Sequence, residues 1–119
     1  MLDNIYILIP VYNEEKKIKS VVTELSSSFK NIVAVNDGST DSTQEILQSL
    51  NIVTLNHSIN LGQGAAISTG FKFIQKQNNA YAVVTFDADG QHSVDDAKAF
   101  SNEILACEED IIFGSRFIN

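Results

Sequence analysis

With one cysteine in 119 residues, no intrachain disulfide is possible, and nothing else in the sequence signals an oxidising compartment. Cys107 is expected as a small buried hydrophobe. Basic residues are scarce too. Eight Lys and Arg stand against fifteen Asp and Glu, a formal charge of -7, and no basic stripe runs along the chain. That balance argues against nucleic acid as the main partner, because phosphate-backbone binding draws on clustered cations. An anionic ligand would need a metal or local donors instead. No apolar run approaches the ~20 residues that cross a bilayer. The opening "MLDNIYILIPVYNEE" lacks a basic leader and a small-residue cleavage site, so it reads as a strand rather than a signal peptide. The chain is expected to be soluble and cytoplasmic. There is no repeat, no low-complexity tract and no Pro/Gly/Ser-rich linker, and residues 1–119 read as a single domain.

What the sequence does have is alternation. Apolar runs of strand length at residues 4–9, 31–35, 52–55, 81–86 and 110–113 are separated by helix-period segments at 14–28, after 41–42, at 62–75 and at 93–107. Ile18, Val21, Val22 and Leu25 carry the period in the first helix; Ile46, Leu47 and Leu50 carry it in the second. Ser42 with Glu45 fits a capping box at the start of that second helix. Strand and helix in strict order predict right-handed βαβ units, and so an α/β fold with a mostly parallel sheet covered on both faces. Ligands of such open sheets bind beyond the carboxyl ends of the strands. "PVYNEE", "NDGSTDS", "NHSINLGQG", "DADGQH" and "GSR" all fall at those ends, and five polar motifs on one edge of a sheet make a site.

Each motif also has a plain reading. "VNDGSTDS" can be only a turn followed by a helix cap; alternatively Asp37 accepts a hydrogen bond from a base imide or ribose hydroxyl, with Gly38 letting the ligand come close. "NLGQGAAISTG" is a poor dinucleotide fingerprint, since it follows the third strand and has Ile67 where a third glycine belongs. Its glycines suit a tight helix entry, with Ala65 and Ala66 packing near the sheet and backbone donors left near a phosphate. "DADGQH" can be an acidic turn. As a metal site it offers Asp87 and Asp89, two apart and facing one side of extended chain, with Gln91 as a third oxygen donor. Oxygen ligands of this kind suit Mg²⁺ or Mn²⁺, whereas one cysteine with His57 and His92 makes no usual zinc set. His92 reads as a structural histidine, or one that steadies a ligand, rather than a ligand itself. Arg116 in "GSR" offers a fixed positive fork for a diphosphate.

Taken together and in order, "IPVYNEE", "VNDGSTDST", "NLGQGAAISTG", "DADGQH" and "GSR" resemble the nucleotide-binding half of family 2 glycosyltransferases. Within that family the likeness is to the branch of dolichyl-phosphate mannose synthase and related polyprenyl-phosphate sugar transferases. The resemblance covers nearly the whole chain and implies a Rossmann-like GT-A half. It implies that Asp87, Asp89 and Gln91 hold Mg²⁺ or Mn²⁺ against the diphosphate of a UDP- or GDP-linked sugar. Pro10, Tyr12 and Glu14 would line the base and ribose pocket, Val35 and Asp37 would lie beside the base, and Ala88 would touch the donor between the two aspartates. Arg116 would meet the phosphates. Asn36 stands where many members carry an acidic residue, a departure expected to bear on nucleotide preference. Family members continue past the equivalent of Asn119 into an acceptor-binding region, so the catalytic base is expected beyond it. The implied acceptor is a polyprenyl phosphate at the inner membrane surface. A sheet lacking later cover is expected to self-associate as a homo-oligomer.

Two other classes fit less of the sequence. A haloacid-dehalogenase-like phosphatase also uses a DxDG loop after a parallel strand, but on its first strand and with Thr or Val after the glycine, where Gln91 stands here. A non-catalytic domain that keeps only the nucleotide pocket, or only the fold, would work by association.

Overall fold

The seven residues IYILIPV at Ile5–Val11 are apolar without alternation, which suits a strand buried on both faces. This strand, β1, lies at the centre of a five-stranded sheet. The structure, a computed structural model, describes residues 2–89, 94–106 and 113–114. After a 3₁₀ turn at Leu2–Asn4, the elements run β1, α1 (Ile18–Ser26), β2 (Asn31–Asp37), α2 (Thr43–Gln48), β3 (Val53–His57), α3 (Gln63–Gln75), β4 (Ala82–Thr85), α4 (Val94–Ala106) and β5 (Phe113–Gly114). The sheet order is β3-β2-β1-β4-β5, and every adjacent pair is parallel. The α/β fold with a parallel sheet, expected from the alternation, is therefore present.

Side chains leave β1 alternately toward two cores. Ile5, Ile7, Ile9 and Val11 join Ile18, Val22 and Leu25 of α1, Leu47 of α2 and Ala97 of α4 on one face. Tyr6 and Leu8 meet Val33, Val35 and the α3 residues Ala66 and Ile74 on the other. Each fully buried Ile or Leu in these layers contributes about 1.5–3 kcal/mol. Helix α3 lies tightly against the sheet at Gly70, where a Cβ would sit 2.2 Å from Leu8 Cδ1 and 3.1 Å from Val35 Cγ2. Ala66, fully buried with Val33 and Val35, packs near the sheet as expected, and Ala65 beside it is half-buried.

Three boundaries differ from the sequence reading for reasons that bear on the site. Strand β1 runs on through Pro10 to Val11, because pairing with β4 stops at Leu8↔Thr85 and the missing N–H of Pro10 costs no ladder bond on that side. Helix α1 starts at Ile18 rather than residue 14, since residues 14–17 form turns in which Lys17 and Ile18 donate to the Glu14 carbonyl. The capping box at Ser42 does not form. The Ser42 side chain makes no cap bond; Asp41 Oδ1 accepts from the Thr43 N–H at 2.9 Å, and the Ser42 N–H goes to Glu15 Oε1 at 3.0 Å. Cys107 and most of the 110–113 segment lie outside the described residues.

Candidate active site

The order of the sheet changes direction between β1 and β4, so the loops after these strands diverge and leave a crevice at the carboxyl edge. A cleft of about 450 Å³ lies there, walled by Pro10, Tyr12 and Glu14 after β1, Asp87 to Asp89 after β4, and Asn60, Gly62, Gln63 and Ala66 at the start of α3. Asp37 reaches its margin from the end of β2.

Much of "NDGSTDST" braces the β1 side of this cleft. Asn13 takes a left-handed conformation, φ 52°, which Asn tolerates better than most residues. Its N–H donates to Ser39 Oγ at 2.9 Å, and its Oδ1 accepts from the Thr40 N–H at 2.8 Å. The Glu14 N–H donates to Thr43 Oγ1 at 3.0 Å, and that hydroxyl donates in turn to Asp41. Asp41 is held below the usual carboxylate range: burial pushes it up, but the bonds from Thr43 outweigh that. Glu14 is pushed the other way, by its own burial and then by the negative charge of Asp89, with Lys17 partly offsetting both. Lys17 also ties two walls together, since its Nζ donates to the Asp89 carbonyl at 3.0 Å.

Asp37 is 3% exposed, and its carboxylate is satisfied from within the chain. Oδ1 accepts from His57 Nδ1 at 2.8 Å and from the Leu61 N–H at 2.9 Å; Oδ2 accepts from the Gly62 N–H at 2.9 Å and from Asn60 Nδ2 at 3.1 Å. An ionised carboxylate has about four acceptor positions, and four donors occupy them. Burial pushes Asp37 up, yet the bonds from His57, Leu61 and Gly62 prevail and hold it below its ordinary value. The residue anticipated as a ligand contact therefore shapes the 60–62 loop. Gly38 is packed closely against the same loop: at φ +73°, a Cβ would lie 2.3 Å from the Ile59 carbonyl carbon. What comes close to Gly38 is the 59–60 backbone.

The remaining sequence candidates divide cleanly. Pro10, Tyr12, Glu14, Asp87, Ala88 and Asp89 are brought together in the cleft. Val35 is fully buried in the core beneath α3 and is not among the cleft residues. Asn36 is buried as well, its Nδ2 donating to Asn56 Oδ1 at 3.0 Å and its Oδ1 accepting from the Ser39 N–H at 3.2 Å. Asp87 and Asp89 converge, but not as neighbours along extended chain, since β4 ends at Thr85 and residues 88–89 form a turn. Gln91, His92 and Arg116 lie outside the described residues. Among the described residues, no three His, Cys, Asp or Glu side chains are grouped as a metal site. The donor set still suits a hard cation, because Mg²⁺ takes one or two carboxylates and fills its other positions with water and substrate phosphates. Sequence reasoning missed Asn60, Gln63 and Ala66, as well as His57 and Thr69 behind them. Ending the third strand at residue 55 hid the pairing of His57 with Asp37.

The sheet and its crevice define an open α/β protein with a cleft at the switch point of the strand order. Within that class the chain belongs to glycosyl transferase family 2, whose description matches residues 6–119. It is 37% identical to a UDP-N-acetylglucosamine–dolichyl-phosphate N-acetylglucosaminyltransferase of Methanococcus voltae, over 97% of this chain and 53% of that protein. It is 32% identical to a dolichyl-phosphate beta-glucosyltransferase of Trichomonas vaginalis, over 95% of this chain and 40% of that one. Among solved structures, glucosyl-3-phosphoglycerate synthase of Mycobacterium tuberculosis shares the fold, with a TM-score of 0.72 at 19% identity over 89% of this chain and 41% of that one. The chain thus spans about half the length, or less, of the relatives it matches.

Proposed function

We propose that this chain forms the donor-binding part of a glycosyltransferase that takes a nucleotide sugar and passes the sugar to a polyprenyl phosphate. The observation that carries this reading is the convergence of Tyr12, Glu14, Asp87 and Asp89 with the start of α3 in one cleft at the switch point. The names of the two curated relatives, both transferases acting on dolichyl phosphate, favour the acceptor class, and the Methanococcus voltae relative favours UDP over GDP.

Physical chemistry makes the cleft's charge the central issue. The carboxylates lining the cleft repel a diphosphate, and Glu14, pushed up first by its own burial and then by the charge of Asp89, is subject to part of this repulsion without ligand. Asp87 and Asp89 would hold Mg²⁺ or Mn²⁺, which when bound offsets the negative charge collecting on the leaving diphosphate. Tyr12, 45% exposed, offers an aromatic face to a base, and Glu14 offers an acceptor to a ribose hydroxyl. Calorimetry with UDP and with GDP, in Mn²⁺ and in chelator, tests the assignment. Binding of UDP that weakens tenfold or more on chelation (about 1.4 kcal/mol) is expected; equal affinity in both conditions would remove the metal role of the aspartates.

A further inference from the structure

His57 ends β3 directly opposite Asp37 in the register of the parallel β2–β3 pair. Both side chains are nearly buried, 9% and 4% exposed. Each oxygen of the Asp37 carboxylate already accepts a backbone N–H, from Leu61 and from Gly62, so it meets His57 as an acceptor and Nδ1 donates in their 2.8 Å bond. The other ring nitrogen, Nε2, lies 2.8 Å from Thr69 Oγ1 on α3. With a neutral ring, Nε2 accepts from the Thr69 hydroxyl; with a charged ring, it donates to the hydroxyl oxygen. The imidazole is thereby fixed at both ends, by the sheet and by the helix.

The sequence Asp37–His57–Thr69 has the polarity of a catalytic triad, but its hydroxyl is not placed for chemistry. Neither Thr69 nor His57 lines the cleft. What the relay reaches instead is the cleft wall, since the Asp37 carboxylate steadied by His57 is the same group that takes the Leu61 and Gly62 N–H groups and the Asn60 amide. Asn60 and Gly62 line the cleft, and the next residue opens α3.

We propose that His57 is a positioning residue: clamped by Thr69, it sets the rotation of the Asp37 carboxylate and so holds the 60–62 wall in the shape that receives the donor nucleotide. Only the affinity part of this statement rests on the nucleotide-binding reading given above. The shape of the wall stands on the geometry alone.

The test therefore has two arms on the same variants, His57→Ala, Thr69→Val and Thr69→Ser. Without ligand, amide hydrogen exchange is followed at Leu61 and Gly62, with β1 amides as the reference for global opening. Faster exchange at Leu61 and Gly62, by about tenfold in His57→Ala (about 1.4 kcal/mol) and less in Thr69→Val, is expected. Thr69→Ser should restore the wild-type pattern, and β1 should not change. Unchanged exchange at these two amides in both His57→Ala and Thr69→Val would overturn the proposal, as would acceleration spread evenly over β1. Should His57→Ala fail to fold, Thr69→Val against Thr69→Ser decides the matter. In the second arm, the Kd of UDP with Mn²⁺ should rise in His57→Ala and Thr69→Val and recover in Thr69→Ser. If wild-type protein binds neither UDP nor GDP, the nucleotide reading fails and the exchange arm alone decides whether His57 sets the wall.

Discussion

Asp37 shows how a residue can be legible as special while the bonds that hold it are not. An aspartate before glycine at a strand end stands out in any sequence, but nothing in the sequence says that four donors from residues 57–62 will close around it. The structural role has a consequence in acid. Its folded pKa lies below the unfolded value, so the stability it confers is present above the ordinary carboxylate range and is lost as pH falls through the lower folded value. Asp37→Asn should accordingly be destabilised at neutral pH, where an amide NH₂ replaces an acceptor oxygen facing the Leu61 or Gly62 N–H. Its deficit should shrink in strongly acidic solution, where wild-type Asp37 is itself protonated. Urea denaturation at the two pH values reads this directly. A deficit unchanged between them would mean that the charge of Asp37 contributes nothing to folding. Asp89 presents the contrast, being half-buried at the cleft rather than in the core. Asp89→Ala should shift stability by no more than about 0.5 kcal/mol while weakening the metal-dependent part of UDP binding. A marked fall in thermal stability without ligand would show instead that Asp89 is structural.

Among the elements, the existence and order of strands and helices were legible because their apolar periods are strong, whereas their ends were not, because the ends belong to the site. The start of α2 is the plainest instance. A capping box could be read from Ser42 and Glu45, but its work is divided between Asp41, which is adjacent, and Glu15, which arrives from the β1–α1 turn. Sequence spacing carries no information about a carboxylate that comes from another element. Removing the carboxylate that takes the first N–H of α2, Asp41→Ala, should cost about 1 kcal/mol. Ser42→Ala should stay within about 0.5 kcal/mol of wild type. Comparable losses in the two variants, measured by urea titration, would return the cap to Ser42. Gly70 carries a similar lesson for α3, since its place in the helix was plain while its contact with Leu8 and Val35 was not. Gly70→Ala should lose about 1–3 kcal/mol through overpacking, despite the better helix propensity of alanine. A gain in stability would mean that α3 can move off the sheet at little cost.

At the scale of the whole molecule, the parallel sheet and the carboxyl edge of the site followed from the strict alternation of elements. The order of the strands did not, since the same alternation permits several. That order has a kinetic consequence. The central strand acquires its second neighbour only when Ile5 meets Ala82, a pairing that spans most of the chain, and contacts so distant in sequence form slowly because a long loop must close first. The cleft walls at residues 10–14 and 87–89 come together through the same event, so no partly folded form lacking β4 has a complete site. A ligand gripping both walls ties β4 to β1. Its effect should therefore fall on the rate of escape from the native state: with saturating UDP and Mn²⁺, unfolding in denaturant should slow, while refolding begun without ligand and refolding begun with it should proceed at nearly the same speed.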